Sequence, residues 1–276
     1  KAELVEALPA AADGGIAVLN ADDPRVRRMA SRTRARVVTY GFAPDADVRA
    51  EDVTSLGFEG MRFRLVTPGG AREAAVTRPG RLAVHNALAG AAAGLAAGMS
   101  LDEIVPGLVT GGSAPHRSAL IRAGGVTSVD DSYNASPGSV AAALELLSGL
   151  PGRRAAILGH MMELGDASEA GHAAVGAAAA ATVGLLIVAA GAPGGEASGI
   201  AEAALAAGMA PEAVVRAATR EAAADEAVRR LRPGDVVLIK ASQGIGLDEA
   251  VRDRLGVGLE VLIADLVARL GGEGTA

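Results

Sequence analysis

Five consecutive polar residues, Asp130-Asp131-Ser132-Tyr133-Asn134, follow a short apolar segment that is typical of a strand. In open α/β sheets, ligands bind beyond the carboxyl ends of the strands. Carboxylates, a phenol and an amide at such a place suit ribose hydroxyls, an amine or Mg²⁺. A second interpretation is a polar turn in which Asn134 caps the next helix. The spacing alone leaves both open.

A second group of reactive types, Lys240-Ala241-Ser242-Gln243-Gly244-Ile245-Gly246, follows the last apolar segment. A cation and a hydroxyl before a glycine-rich turn suit an anion such as phosphate or carboxylate. The chain has two lysines, Lys1 and Lys240, among 26 basic residues. No Gly-x-x-x-x-Gly precedes either lysine, so neither belongs to a Walker A loop. The alternative is a strand-to-helix turn with an incidental lysine.

Three further positions carry weaker signals. His160 and Glu163, in a loop after another apolar segment, form a candidate acid/base or ligand pair, or else a structural loop. Arg117 would place a guanidinium where it reaches a transferring phosphoryl group, although by itself it is one arginine among many. Asn86, near the start of an alanine-rich segment, would either cap that helix or contact a nucleotide base.

Composition narrows the function classes. The formal net charge is −6 and no basic cluster occurs, which argues against a nucleic-acid partner. Cysteine is absent, which excludes disulfides and a thiol nucleophile and fits a reducing, cytoplasmic compartment. The most apolar windows are broken by the patterns of water-exposed helices, so we predict no membrane span and no signal peptide.

The elements that must position these residues are those of an α/β protein. A cluster of small breakers at 111–115 is the best domain boundary, which predicts domains over 1–112 and 113–276. Before it, short strands and helices lead into alternating segments between residues 48 and 76, typical of antiparallel edge strands. After it, strands and helices alternate, which predicts a Rossmann-like, mostly parallel sheet.

Taken together and in this order, the motifs resemble those of the Mur ligase family. The resemblance runs from Lys1 to about Leu247. It rests on a set of short elements: Lys1-Ala2-Glu3, Asn20-Ala21-Asp22-Asp23-Pro24, Asn86-Ala87-Leu88-Ala89, Asp131-Ser132-Tyr133-Asn134, Met162-Glu163-Leu164-Gly165, His172, and Lys240 with Ser242, Gly244 and Gly246. The Asp-Ser-Tyr-Asn and Met-Glu-Leu-Gly elements are the most specific and point to the branch that adds D-alanyl-D-alanine.

The resemblance implies an ATP-dependent amide ligase of peptidoglycan precursor synthesis. Residues 1–112 would be the C-terminal part of the central ATP-binding domain, and residues 113–276 the C-terminal Rossmann-like domain. The substrates would be UDP-N-acetylmuramoyl-tripeptide and D-Ala-D-Ala, and the cofactors ATP and Mg²⁺. ATP would convert a carboxylate into an acyl phosphate, which the dipeptide amine attacks. The protein would be a cytoplasmic monomer.

The resemblance also implies roles for single residues. Lys1 matches the lysine whose carbamate holds Mg²⁺, and Arg117 would contact the ATP phosphates. Asn86 and Asp131 would contact adenine or ribose. The remaining matches are cleft residues toward the nucleotide or the dipeptide: Tyr133, Asn134, Lys240 and Ser242. The catalytic set would be Lys1, Arg117 and Lys240.

Departures from the family pattern leave alternatives open. His160 stands where the family usually has Asp, and Ala241 and Gln243 replace the usual Gly and Arg. The chain begins with Lys1 and contains no phosphate loop, so we expect a fragment that does not catalyse alone. The rivals are another Mur-type or folylpolyglutamate-type amide ligase, and a truncated module that only binds.

Overall fold

The computed structural model describes residues 1–110, 116–123, 125–189, 195 and 197–242. The chain forms two compact units, Lys1–Gly112 and Ser113–Ala276. We call them the first and the second unit. In the described part of the chain, no helix is long and apolar enough to cross a membrane.

The first unit contains a five-stranded sheet in the order β1-β2-β3-β4-β5. Strands β1 to β3 pair in parallel, whereas β3, β4 and β5 pair antiparallel, which confirms the predicted antiparallel edge. The elements of this unit are α1 (Ala2–Glu6), β1 (Ile16–Asn20), α2 (Pro24–Arg27), β2 (Arg36–Gly41), β3 (Val48–Ser55), β4 (Met61–Thr67), β5 (Gly70–Val76), α3 (Arg81–Ala96) and α4 (Leu101–Thr110).

The core of the first unit follows from the alternation in β4. Met61, Phe63 and Leu65 are buried, and the arginines between them are exposed. Helix α3 lays Val84 and Leu88, both fully buried, in the same apolar cluster. Because alternate side chains of a strand point to opposite faces, one face of the sheet is covered by this helix.

The second unit contains a six-stranded sheet in the order β10-β9-β8-β11-β7-β6. All neighbours pair in parallel except β6 and β7, so the predicted mostly parallel sheet is confirmed. Its elements are β6 (Ala119–Ala123), β7 (Val126–Asp130), α5 (Pro137–Ser148), β8 (Arg153–Gly159), α6 (Ser168–Thr182), β9 (Leu185–Ala189), α7 (Ser198–Ala206), β10 (Val214–Ala217), α8 (Arg220–Arg230) and β11 (Asp235–Lys240).

Two predicted caps are wrong. Helix α5 is capped by Ser136, whose hydroxyl accepts from the Ser139 N–H in a reciprocal capping box, while Asn134 lies two residues earlier. Helix α3 begins at Arg81 after Gly80, so Asn86 lies inside the helix and cannot serve as its cap. In both cases the turn of the backbone decides where the helix begins. A polar residue near an apolar segment does not reveal that position.

Candidate functional site

Sheet order brings three loops of the second unit together. Strand β11 lies between β8 and β7, and all three run in parallel, so their carboxyl ends meet at one edge. The Asp131 N–H donates to the Ile239 carbonyl at 3.0 Å, and the Ser242 N–H donates to the His160 carbonyl at 3.1 Å. The polar motifs of the sequence therefore converge on the edge where open α/β sheets bind ligands.

Lys240, the last residue of β11, is buried there with only 3% of its surface exposed. Its ammonium donates to the Asp131 carboxylate, to the Asp131 carbonyl at 3.2 Å and to the Asn134 carbonyl at 2.7 Å. An ammonium has three N–H donors. All three are in use, which supports a role in holding the loop 131–134 rather than a direct contact with a substrate.

Asp131 accepts hydrogen bonds on both carboxylate oxygens. Its Oδ2 faces Lys240, and its Oδ1 accepts from the Ser118 N–H at 2.8 Å and from the Ser118 hydroxyl at 3.0 Å. The side chain is 16% exposed. Asp131 thus links β11 to the segment just before β6, and it remains partly open to solvent.

Asp130, the last residue of β7, is the buried neighbour. Its Oδ2 lies 2.8 Å from His116 Nδ1, and its Oδ1 accepts from the Ser132 hydroxyl at 2.6 Å and the Ser132 N–H at 3.1 Å. Because an ionised carboxylate only accepts, His116 donates through Nδ1–H. Asp130 therefore holds the start of the turn at Ser132 and ties it to His116.

Arg117 and Tyr133 lie on the exposed side of this edge. The guanidinium carbon of Arg117 is 4.0 Å from the centre of the Tyr133 ring, which is a cation–π contact. Tyr133 is 42% exposed, and Asn134 is exposed beside it, its side-chain oxygen accepting from the Ala135 N–H at 2.8 Å. A planar cation and an aromatic ring are therefore both presented to solvent.

Ser242 and His172 hold the loop that follows β8. The buried Ser242 hydroxyl accepts from the Met162 N–H at 2.9 Å and donates to the Ala135 carbonyl at 3.3 Å. His172 is fully buried, and its Nε2 accepts from the Met161 N–H at 3.0 Å. Both side chains therefore fix the backbone of this loop through hydrogen bonds.

The first unit has its own polar cluster at the carboxyl ends of β1 and β2. Asp22 accepts from the Phe42 and Ala43 N–H groups at 2.9 Å, and its carboxylate lies 3.5 Å from His85 Nε2. Gly41, at φ +152°, permits this approach, since a β-carbon there would lie 2.6 Å from Asp22 Oδ1. Burial lowers the pKa of the His85 imidazole, and the Asp22 carboxylate opposes this in part.

The structure separates the predicted site residues into two groups. The strand-end cluster of the second unit contains Arg117, Asp131, Tyr133, Asn134, Lys240 and Ser242. Lys1 and Asn86 belong to the first unit, where both are exposed, Lys1 before α1 and Asn86 on the outer face of α3. Among the described residues, no group of three His, Cys, Asp or Glu side chains is placed to hold a metal ion.

Sequence reasoning gave no role to His116 or Ser118 and treated Asp130 only as one of two carboxylates in a polar run, although the structure ties all three to the cluster. Their positions next to predicted site residues could have indicated them, since His116 and Ser118 flank Arg117 and Asp130 precedes Asp131. Glu163, the predicted partner of His160, is exposed at φ +63°. The residues 243–246 of the glycine-rich turn lie outside the described residues.

Comparisons with known proteins identify the family of the chain. Residues 1–94 match the family model of the Mur ligase middle domain, and residues 116–243 match that of the Mur ligase, glutamate ligase domain. The UDP-N-acetylmuramoyl-tripeptide–D-alanyl-D-alanine ligase of Mycobacterium tuberculosis (strain CDC 1551 / Oshkosh) is 38% identical across 92% of this chain and 53% of its own length. The ligase of the same name from Escherichia coli (strain K12) is 40% identical across 66% of this chain and 40% of its own length.

Solved structures give the same result for the fold. The MurF ligase of Thermotoga maritima, solved in complex with ADP, aligns with a TM-score of 0.75 at 24% identity, over 92% of this chain and 54% of that one. The chain spans about half the length of the curated relatives it matches most fully. Both family models occur in order and together cover most of the sequence. The chain belongs to the Mur ligase family.

Proposed function

We propose that this chain forms part of an ATP-dependent ligase that joins D-Ala-D-Ala to UDP-N-acetylmuramoyl-tripeptide in peptidoglycan precursor synthesis. The main support for this proposal is the 38% identity, over 92% of this chain, to a curated UDP-N-acetylmuramoyl-tripeptide–D-alanyl-D-alanine ligase. The two units would be the C-terminal part of the central domain (1–112) and the C-terminal domain (113–276). We further propose a cytoplasmic monomer.

The reaction explains why a nucleotide is needed. A carboxylate is a poor acylating agent because its leaving group would be an oxide. Attack of a carboxylate oxygen on the γ-phosphorus releases ADP and gives an acyl phosphate. The dipeptide amine then attacks the carbonyl carbon, loses a proton, and phosphate departs as the amide forms. Each step builds negative charge on phosphoryl or carbonyl oxygens, which fixed cations and donors stabilise.

The strand-end cluster supplies such groups. The exposed guanidinium of Arg117 suits the phosphates, and the neighbouring Tyr133 ring and Asn134 amide suit the nucleotide or the incoming dipeptide. Asp131 has 16% of its side chain exposed, and its carboxylate suits a ribose hydroxyl. Lys240 and Ser242 would act by holding these residues in place, since their own polar atoms are already bonded.

The exposed positions of Lys1 and Asn86 are compatible with a carbamate and with a base contact. Among the described residues, no three His, Cys, Asp or Glu side chains are placed to hold a metal ion, so a carbamate on Lys1 would need further ligands. We therefore assign no step to Mg²⁺ here. ATP would be bound between residues of this chain and a phosphate loop, and residues 1–276 contain no such loop.

The test is an assay of the protein expressed from its complete reading frame. With ATP, Mg²⁺ and UDP-N-acetylmuramoyl-tripeptide, phosphate release should require D-Ala-D-Ala, and mass spectrometry should find the pentapeptide product. D-glutamate, diaminopimelate, L-alanine and a folate with glutamate are the comparison acceptors. Release with one of these but not with D-Ala-D-Ala would assign the chain to another amide ligase. Nucleotide binding without turnover on any acceptor would favour the binding module.

A further inference from the structure

The residues on both sides of Arg117 have an unusual backbone. His116 has a φ of +59° and Ser118 a φ of +50°, which is the left-handed region. Residues with a β-carbon seldom adopt it, because the β-carbon crowds the backbone, and they keep it only where their surroundings impose it. Two such residues on either side of Arg117 therefore need an explanation in their contacts.

His116 and Ser118 each contact one of two consecutive carboxylates. Asp130 takes the His116 imidazole through a 2.8 Å bond to Nδ1, and Asp131 takes both the N–H and the hydroxyl of Ser118. We call Asp130 and Asp131 the carboxylate clamp. One carboxylate is at the end of a strand and the other is paired with Lys240, so the clamp is itself anchored.

The clamp also sets the direction of the Arg117 side chain, because Arg117 lies between His116 and Ser118. The Tyr133 N–H donates to the His116 carbonyl at 3.0 Å, which brings the Tyr133 ring beneath the guanidinium of Arg117 at 4.0 Å. A long flexible arginine normally pays for a fixed orientation in lost rotamer freedom. Here the backbone at both neighbours and the ring below restrict that freedom in advance.

We propose that His116 and Ser118 are positioning residues for Arg117, which the carboxylate clamp holds over Tyr133 in the orientation that meets the transferring phosphoryl group. The mechanical part of the proposal, that the clamp orients Arg117, stands on the contacts alone. The catalytic part rests on the proposed function. The two parts are tested by separate experiments, so failure of one is distinguishable from failure of the other.

The first experiment measures the orientation of Arg117 by NMR on the 276-residue chain. The Tyr133 ring current should displace the side-chain signals of Arg117, which are assigned with Arg117→Lys, and Tyr133→Leu gives their position without the ring. His116→Gly and Ser118→Gly keep the positive φ without strain but lose the side-chain bonds. Both should move the Arg117 signals most of the way to the Tyr133→Leu position.

Two further variants control this measurement. His116→Asn tolerates a positive φ and keeps an N–H near the position of Nδ1, so it should retain the wild-type Arg117 signals. Ser148→Gly removes an exposed serine at the end of α5, outside the clamp, and should also leave them unchanged. Wild-type Arg117 signals in both His116→Gly and Ser118→Gly would overturn the proposal.

The second experiment uses the ligase expressed from its complete reading frame. His116→Gly and Ser118→Gly should lower kcat roughly tenfold or more while KM for ATP changes less than about threefold, because a misplaced charge is felt mainly in the transition state. His116→Asn should stay within about threefold of wild type. In an Arg117→Ala background, Ser118→Gly should cost less than about threefold further, since the residue it acts through is gone.

Full additivity of Ser118→Gly with Arg117→Ala would contradict the positioning role, as would a loss of kcat with unmoved Arg117 signals. If the wild-type protein turns over no acceptor, the proposed function fails, and the NMR experiment still decides whether the clamp orients Arg117.

Discussion

Lys240 and Asp131 form an ion pair across the strand-end edge of the second unit, although 109 residues separate them in the sequence. Lys240 ends β11 and Asp131 follows β7, and these strands are direct neighbours in the sheet. The pair is largely removed from water, with 3% of the lysine side chain and 16% of the aspartate side chain exposed. Its ammonium also satisfies two backbone carbonyls of the loop that presents Tyr133.

Replacing Lys240 by Met should therefore destabilise the second unit strongly. The substitution leaves a partly buried carboxylate and two carbonyls without their donor, and breaking a buried pair in this way costs roughly 3–5 kcal/mol. We expect the lower end, because Asp131 keeps some contact with water. Urea unfolding followed by NMR signals of the second unit measures the change. Lys1→Met, at the exposed lysine, is the matched control, and an equal effect of both substitutions would refute the prediction.

Replacing His172 by Phe should loosen the loop after β8. The two rings have similar shapes, but phenylalanine offers no acceptor to the Met161 N–H, which would be buried without a partner. The expected cost is about 1–3 kcal/mol of unfolding free energy. Amide exchange at Met161 should become faster, while exchange at Gly149, bonded to the Leu146 carbonyl after α5, should keep its rate relative to global unfolding. Unchanged protection at Met161 would show that His172 does not hold the loop.

The half-buried His85 predicts how the stability of the first unit depends on pH. Burial lowers the pKa of this imidazole in the folded state, so the unfolded state takes up a proton more readily. The contribution is fully present above the ordinary value of about 6.5 and is lost as pH falls through the lowered folded pKa. Unfolding free energies of wild type and His85→Gln, measured from pH 7.5 to 5, should show a smaller slope for the variant; equal slopes would contradict the assignment.

Replacing Gly176 by Ala should force α6 and α7 apart. A β-carbon at this position would lie 2.1 Å from the Ile200 carbonyl oxygen, which is backbone and cannot rotate away. Overpacking of this kind typically costs about 1–3 kcal/mol and occasionally more. The measured free energy of unfolding should fall by about that amount. Gly138→Ala in α5, where a β-carbon meets nothing within 4 Å, is the matched control and should be neutral or stabilising. A tolerated Gly176→Ala would mean that the two helices separate at little cost.

Much of the fold followed from local pattern. The alternating segments predicted between residues 48 and 76 form the antiparallel strands β3, β4 and β5, and the alternation after the breakers forms a mostly parallel sheet. Apolar periodicity and turn residues specify such elements because they depend on neighbours within a few positions. The edge strands β6 and β10 went unpredicted, since a short strand at the border of a sheet has little apolar pattern of its own.

The sequence by itself determined the family, because the order and types of the motif residues can be read without a structure. It also predicted site residues, and the structure places six of them in one unit at one sheet edge: Arg117, Asp131, Tyr133, Asn134, Lys240 and Ser242. Their functional roles stay predictions. Only the tertiary structure decided what these side chains contact. Lys240 has all its donors in use, whereas Arg117 is exposed over an aromatic ring. Such contacts join distant positions through strand order, and no local spacing records which hydrogen-bonding groups a fold has already paired.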